Sequence, residues 1–199
     1  MRTIIFSLGL LAAIILLAQC TDQSTEQAEI SDSERAVYLE QGQQYALRTQ
    51  SVLGKNLMQA VQTGGAAHAL TFCNEQAIPL TDSMSAQLGV SLKRVSDQNR
   101  NPVNAASEAE LAYIKDAKMA IAEGNMPAGV VRLAGEKIVG YYPILTNDLC
   151  LNCHGDPGQD ITEETLQAIH AHYPEDKAVG YRANQLRGIW VVEKPVTDE

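Results

Sequence analysis

The chain has 199 residues and a formal net charge of -9, with 45% hydrophobic and 20% charged residues. Such an acidic chain repels polynucleotides, which excludes DNA and RNA as partners. Residues 35–199 suffice for one domain with a hydrophobic core, and no internal repeat divides them.

The N-terminus has the pattern of an export signal. A basic start is followed by an apolar run over residues 4–18, which predicts a signal peptide over residues 1–19. The run is shorter than the about 20 residues that a membrane-spanning helix needs. Leu17-Ala18-Gln19-Cys20 resembles a bacterial lipobox, although Gln19 stands where a small residue is usual. Over simple cleavage or an uncleaved anchor, we favour an exported lipoprotein in the periplasm or envelope, with lipidated Cys20 as its membrane anchor.

The first half of the chain predicts helices. Ser31 and Glu34 form a capping box that opens a long amphipathic helix, which Gly64 closes. Pro79 lacks the N–H that a helix interior requires, so it should stop a second helix. Gly89 should end a third. The predicted ranges are a polar tether over residues 20–34, a first helix that runs from the capping box to residue 63, and helices over residues 66–78 and 81–88.

The second half predicts an antiparallel sheet. Ser107 and Glu110 form another capping box, opening a helix that ends near Glu123. Strand-like segments follow, two of them joined as a hairpin, and Asp160 should cap a last helix. Helices followed by such a sheet indicate the α+β class. The predicted strands cover residues 90–96, 128–133, 138–144 and 188–192, and the last helix covers residues 161–172.

The string Cys150-Leu151-Asn152-Cys153-His154, in the loop predicted after the hairpin, is the C-x-x-C-H motif of c-type haem attachment. Two thiols three positions apart can each form a thioether with a haem vinyl group, and the adjacent imidazole then lies under the iron. We therefore predict one covalent haem c, attached through Cys150 and Cys153, with His154 as the proximal iron ligand. Export agrees with this cofactor, because c-type attachment takes place outside the bacterial cytoplasm.

Cys150 and Cys153 could instead form a redox dithiol, a disulfide or half of a zinc site. A zinc site needs four ligands, but the chain has no second Cys pair, and the nearest further cysteine is Cys73. Neither redox nor disulfide chemistry requires His154. The histidine therefore favours haem.

The opposite axial ligand is open on residue chemistry alone. Small electron-carrier cytochromes supply a downstream Met, but no Met follows His154 in this chain. Four-helix cytochromes leave that position empty, but their all-helical pattern conflicts with the predicted strands. A lone cysteine such as Cys73 is commonly a small buried hydrophobe. The candidates are Cys73, His68, His170, His172, Met58, Met84, Met119 and Met126.

Four motifs follow one another in order within residues 47–192. They are Gly64-Gly65 with Cys73 and Ala77, Arg94-Val95-Ser96 with Arg100-Asn101-Pro102-Val103-Asn104 and Glu110, Cys150-Leu151-Asn152-Cys153-His154-Gly155, and residues 173–181 leading to Arg187-Gly188. In these motifs the chain resembles a family of single-haem, PAS-like c-type domains, found alone or as extracytoplasmic input domains of bacterial sensor kinases. The resemblance implies a PAS-like antiparallel sheet flanked by helices, with a long N-terminal helix.

The resemblance also implies His and Cys axial ligation, carried here by His154 and Cys73. A thiolate donates strongly to ferric iron and is a poor partner for ferrous iron, so this pair predicts a low reduction potential. Reduction should then favour protonation and loss of the Cys73 thiolate. Its departure would open a site for carbon monoxide or nitric oxide.

The polar segment that contains Arg94 and Arg100 has two interpretations. The guanidinium groups suit charge-assisted pairing with haem propionates. Alternatively, residues 100–104 build a rigid, hydrogen-bonded loop. We expect structural roles for Ser96, Asn101 and Asn104, and ordinary packing around the haem pocket for Tyr181, Gly188 and Trp190.

We predict a sensor module in which haem ligation responds to redox state or to a diatomic gas. Because no kinase or cyclase segment precedes Glu199, we expect the signal to pass to a separate signalling or redox protein. The alternative is a low-potential electron-transfer cytochrome of the cell envelope. We expect no enzymatic activity, since no acid and base constellation suited to peroxidase chemistry stands out.

Overall fold

The structure is a computed structural model that describes residues 30–196. The predicted signal peptide over residues 1–19, the lipidation site Cys20 and most of the tether lie outside the described residues. No helix in the described part is both long and apolar enough to cross a membrane. The elements are α1 (Asp32–Leu88), β1 (Ser91–Val95), a short 3₁₀ helix (Pro102–Asn104), α2 (Glu108–Ala122), β2 (Val130–Ala134), β3 (Lys137–Leu145), α3 (Asp148–His154), α4 (Glu163–His172) and β4 (Leu186–Pro195).

Helix α1 starts at the predicted capping box and is interrupted at the predicted glycine pair. The Ser31 N–H donates to Glu34 Oε2 at 2.8 Å, and the Glu34 N–H donates to Ser31 Oγ at 3.3 Å. Gly64 and Gly65 leave helical geometry, and Gly65 has a φ of 74°, a conformation that favours glycine. The pair therefore divides α1 into a first and a second segment.

The second segment of α1 runs without a stop to Leu88, so the predicted end at Pro79 is wrong. Proline deprives the carbonyl four residues earlier, that of Glu75, of its helical donor. Both residues are exposed, so water can satisfy that carbonyl. Ala77 and Met84, by contrast, are buried against the sheet. Their packing sustains the helix through Pro79.

The four strands form one antiparallel sheet in the order β1-β4-β3-β2. Strands β2 and β3 make the predicted hairpin, with Gly135 in its turn at a φ of 61°. Strand β4 is longer than predicted because it pairs with β1 on one side and with β3 on the other. In this register Arg94 of β1 lies opposite Trp190 of β4.

Helices cover both faces of the sheet. One buried cluster joins α2 to the sheet and includes Ile114 and Ile189, while a second joins α1 to the other face and includes Leu53 and Trp190. A third cluster, around Ile169, packs α4 on the second segment of α1. The predicted α+β class, an antiparallel sheet flanked by helices with a long N-terminal helix, is confirmed.

Helix α4 begins later than predicted and has a different cap. The Thr165 N–H donates to Thr162 Oγ1 at 3.3 Å, so Thr162 caps the helix. The predicted cap, Asp160, instead accepts from the Asp156 N–H at 2.9 Å. Asp160 thus closes the turn that follows the haem motif.

Candidate haem site

The C-x-x-C-H motif lies in helix α3, whereas the sequence predicts a loop there. Asn147 caps the helix, since its Oδ1 accepts from the Cys150 N–H at 3.2 Å. Residues three apart share a helix face, so Cys150 and Cys153 lie on one side and His154 ends the last turn. An Asn followed by the acidic Asp148 is the local signal for this helix start.

Helix α3 has no buried residue. Cys150, Cys153 and His154 are half-buried, and the apolar Leu149 beside them is 63% exposed. The three described cysteines, which include Cys73, are free thiols. In the described part of the chain no three His, Cys, Asp or Glu side chains cluster closely enough to hold a metal ion by themselves. The surface of α3 is suited to an apolar cofactor that would cover it.

The C-terminal end of α3 is held through backbone carbonyls, which have no partners within the helix itself. The donors come from Arg100 and from residues 176–181, a segment that we call the strap. These bonds fix the position of the motif without using its side chains. The pairs are Cys153 O with Arg100 Nη2 at 2.7 Å, His154 O with the Tyr181 N–H at 2.8 Å, and Gly155 O with the Gly180 N–H at 2.8 Å.

The His154 imidazole is oriented by the strap. Its Nδ1 lies 2.7 Å from Ala178 O, a carbonyl that can only accept, so Nδ1 carries the proton. This tautomer leaves Nε2 with a free lone pair, as a metal ligand requires. Burial, followed by the charges of Arg187 and Arg100, holds the pKa of His154 well below its ordinary value. The imidazole is therefore neutral, the form that coordinates metals.

Arg100 is engaged in a buried network. It donates from Nε to Asp176 Oδ1 at 3.0 Å and from Nη2 to Asp176 Oδ2 at 3.1 Å. Nη2 also reaches Cys153 O and, at 3.2 Å, Ala178 O. This geometry favours the rigid-loop interpretation of the segment. A propionate contact by Arg100 stays a prediction that depends on Nη1, for which the described residues provide no hydrogen bond.

Arg94 and Cys73 lie in the same buried neighbourhood. The Arg94 guanidinium carbon is 5.5 Å from the centre of the Trp190 ring. Burial raises the pKa of the Cys73 thiol, and the charges of Arg94 and Arg100 oppose that effect. Cys73 also acts on the pKa of Cys153, which burial raises to about 11. The structure thus brings Cys73 close to the haem motif, although it lies in a different helix.

The other candidate ligands lie elsewhere or have partners. Met84 is buried in the core between α1 and the sheet. His172 Nε2 is 3.1 Å from Thr71 Oγ1, a bond that occupies the nitrogen. The remaining candidates have exposed side chains, and they are His68, His170, Met58, Met119 and Met126.

The three predicted packing residues have distinct positions. The Tyr181 ring meets the His154 ring edge-on, with centroids 6.3 Å apart. Trp190 is buried in the core and supports Arg94. Gly188 lies where β1 and β4 approach, and a Cβ there would be 2.5 Å from Val95 O. Its role is therefore in the sheet.

Arg187 is a site residue that the sequence reading did not single out. Its guanidinium carbon is 5.4 Å from the centre of the Tyr181 ring, and its Nη1 donates to Gln98 O at 3.1 Å. Burial lowers its pKa. The available signal was its place in the family motif, directly before the strand predicted over residues 188–192.

An open groove of about 450 Å³ lies on α2, away from these residues. Its lining includes Leu111, Met119, Lys118 and Asp97. None of the residues of the candidate haem site contributes to it.

Comparisons with known proteins agree with this architecture. The Tll0287-like family matches residues 16–195 of the chain. The chain is similar in fold to the crystal structure of the cyanobacterial heme-protein Tll0287, with a TM-score of 0.55 and 19% identity, over 77% of this chain and 94% of that chain. No curated protein matches the sequence. These matches confirm the family resemblance that the four motifs predict.

Proposed function

Because the chain belongs to the Tll0287-like family, we propose that it binds one haem, attached covalently through Cys150 and Cys153. A protein of the same fold is described as a heme-protein. The observation that carries the proposal is helix α3, which presents both thiols on one side. No residue of this helix is buried, so its surface is open to contact with a haem. When bound, a c-type haem supplies a redox-active iron that exchanges axial ligands.

His154 would provide the proximal ligand. The Ala178 carbonyl holds its Nδ1 proton, which orients the ring and increases the basicity of Nε2. The backbone bond between Tyr181 and His154 O keeps the helix end in place. These contacts therefore keep Nε2 of His154 unprotonated and fix its orientation.

Cys73 would provide the opposite ligand. Its thiol is half-buried near Arg94 and Arg100, whose positive charges favour the thiolate that iron coordination requires. Burial has the reverse effect and favours the neutral thiol. These opposed influences suit a ligand that is bound in one redox state and released as a thiol in the other.

We therefore propose a sensor of redox state or of a diatomic gas. Reduction of the iron would weaken its bond to the Cys73 thiolate. The thiolate would then take up a proton and dissociate, and carbon monoxide or nitric oxide could bind in its place. His154 would stay in place throughout, because its backbone and ring are both hydrogen-bonded to the strap. The change in ligation would thus occur at Cys73 in α1 and not at His154 in α3.

A low-potential electron-transfer role is the second candidate. The exposure of Leu149 next to Cys150 would place the edge of a haem near the surface, where electrons can pass to a partner. The acidic chain, with a net charge of -9, would favour a basic docking face on that partner.

We further propose that the protein is exported to the periplasm or envelope, with a lipid at Cys20 as its membrane anchor. Its partner would be a separate signalling or redox protein, with no role for nucleic acid. We expect no enzymatic activity of its own.

The test begins with covalent attachment. The full chain is expressed with a c-type maturation system, and haem is stained after denaturing electrophoresis. We expect one haem per chain, retained in Cys73→Ala and lost when Cys150 and Cys153 are both replaced by Ala. A wild-type protein without covalent haem would overturn the proposal.

Potentiometry with and without carbon monoxide then separates the two candidate functions. A sensor binds the gas when ferrous, and its midpoint potential rises. A carrier keeps both ligands, and its potential does not change.

A further inference from the structure

Two polar atoms beside the candidate haem site are buried without a hydrogen-bond partner within residues 30–196. They are the Tyr181 hydroxyl and Arg187 Nε. A buried polar group without a hydrogen-bond partner destabilises the fold, so native structures contain few of them. The third such atom, Asp97 Oδ1, belongs to a residue that pairs with Lys118 away from this site.

The two atoms belong to neighbouring side chains with fixed positions. The Arg187 guanidinium carbon is 5.4 Å from the centre of the Tyr181 ring. Nη1 is tied to Gln98 O, and the Tyr181 ring packs edge-on against His154. Both groups can donate a hydrogen bond, and the guanidinium cannot accept one. An acceptor with two oxygens could serve both donors.

Charge points to the same kind of partner. Arg94 stacks on Trp190, Arg100 donates to Cys153 O, and Arg187 stacks on the Tyr181 ring that meets His154 edge-on. Among the described residues, Asp176 is the only carboxylate in an ion pair with any of the three, and it pairs with Arg100. Arg94 and Arg187 are thus two half-buried cations without a counter-ion among the described residues, an arrangement that favours the binding of an anion.

We propose that Arg187 and the Tyr181 hydroxyl together bind one haem propionate, and that Arg94 provides the counter-charge for the other. This inference rests on the proposed function. It adds Arg187 to the predicted propionate contacts, because Asp176 already pairs with Arg100. A carboxylate has two oxygens and no donor, so it can accept from both Arg187 Nε and the Tyr181 hydroxyl.

The proposal has a redox consequence. A positive charge near the haem favours the reduced state, which carries one more electron. Removing the Arg187 charge also exposes the negative charge of the propionate. Both effects lower the midpoint potential.

The test uses the full-length holoprotein with two readouts: the propionate bending modes in the resonance Raman spectrum and the midpoint potential. The variants are Arg187→Gln, Arg187→Lys and Tyr181→Phe, which keeps the ring against His154. The control, Arg132→Gln, removes the same charge from an arginine that stacks on Tyr141 of the sheet, 5.8 Å from the ring centre.

We expect shifted propionate modes in all three site variants and unchanged modes in Arg132→Gln. The potential should fall in Arg187→Gln, fall less in Arg187→Lys, and move least in the control. Unchanged propionate modes in Tyr181→Phe and Arg187→Lys, with haem retained, would overturn the inference even if the potential shifts. If Arg187→Gln does not fold, those two variants decide the matter. A wild-type protein without haem would overturn the proposed function itself, which is a different result.

Discussion

Arg100 and Asp176 form a bidentate ion pair in which both side chains are buried, with N–O distances of 3.0 and 3.1 Å. The same guanidinium donates to Cys153 O at the end of α3, and the same carboxylate accepts from the Ala178 N–H at 3.0 Å. The pair therefore joins the haem motif to the strap that orients His154.

Asp176→Asn leaves the Arg100 guanidinium buried without a counter-charge. Breaking a buried pair on one side lowers the free energy of unfolding by about 3–5 kcal/mol. We expect this loss in urea titrations followed by circular dichroism. Glu193→Gln is the matched control, because it breaks the ion pair with Lys137, whose side chain is 59% exposed. The control should lose less than about 1 kcal/mol, and equal losses would contradict a special role for Asp176.

Replacing Cys73 tests the proposed distal ligand. In Cys73→Ala we expect the ferric spectrum to lose its thiolate-to-iron charge-transfer absorption and the midpoint potential to rise, since a strong anionic donor is removed. His68→Ala is the control, because this exposed histidine lies in the same segment of α1. An unchanged ferric spectrum in Cys73→Ala would show that Cys73 is a packing residue and not an iron ligand.

Two glycines in the first segment of α1 should respond oppositely to alanine. A Cβ at Gly42 would overlap the Tyr142 hydroxyl, whereas a Cβ at Gly54 meets nothing within 4 Å. We expect Gly42→Ala to destabilise the protein by about 1–3 kcal/mol through overpacking. Gly54→Ala should stabilise it by about 0.5–1 kcal/mol through helix propensity. Thermal unfolding of both variants measures the difference, and a shared sign would refute the close packing of α1 on Tyr142.

Glu110 should make stability depend on pH. Burial tends to raise its pKa, but bonds from Lys93 at 2.8 Å and from the Ser107 N–H at 2.7 Å outweigh burial and leave the pKa lowered. A carboxyl with a lowered folded-state pKa stabilises the fold above its unfolded value of about 4.3, and this stabilisation disappears as the pH falls through the folded-state pKa.

We therefore expect Glu110→Gln to be less stable than wild type by about 1–2 kcal/mol near neutral pH, with the gap narrowing on acidification below about pH 4. Urea unfolding across this pH range measures it. Glu108→Gln removes an exposed carboxylate from the same helical turn and should show a smaller gap. A gap for Glu110→Gln that stays constant with pH would refute the assignment.

The starts of α1 and α2 were predictable because they depend on neighbours in sequence, whereas α3 was predicted as a loop and α4 is capped by Thr162 instead of Asp160. The capping boxes at Ser31 and Ser107 and the glycines at 64 and 65 act within a few residues, and the structure has the helix boundaries where they place them. Pro79 shows the limit of such rules. Helix α1 continues past Pro79 because another face of it is buried against the sheet. That sheet is formed by residues far along the chain, so a local rule does not detect it.

The candidate site likewise has features that local sequence predicts and features that it does not. The C-x-x-C-H motif is contiguous, so its chemistry can be read locally. The partner of Arg100, Asp176, is 76 residues away, so the ion pair between them had no local signal. The position of Arg187 against the Tyr181 ring likewise requires the turn between the strap and β4 to be known.

The end of α3 is held by the main-chain carbonyls of Cys153, His154 and Gly155, together with the His154 ring, whose Nδ1 donates to Ala178 O. The two residues between the cysteines, Leu151 and Asn152, take no part in that attachment through their side chains, and Asn152 is exposed. Mutation at these two positions can therefore vary the polarity next to the cofactor while the imidazole stays where it is. The polarity near the cofactor can therefore change during evolution without a change in the position of His154.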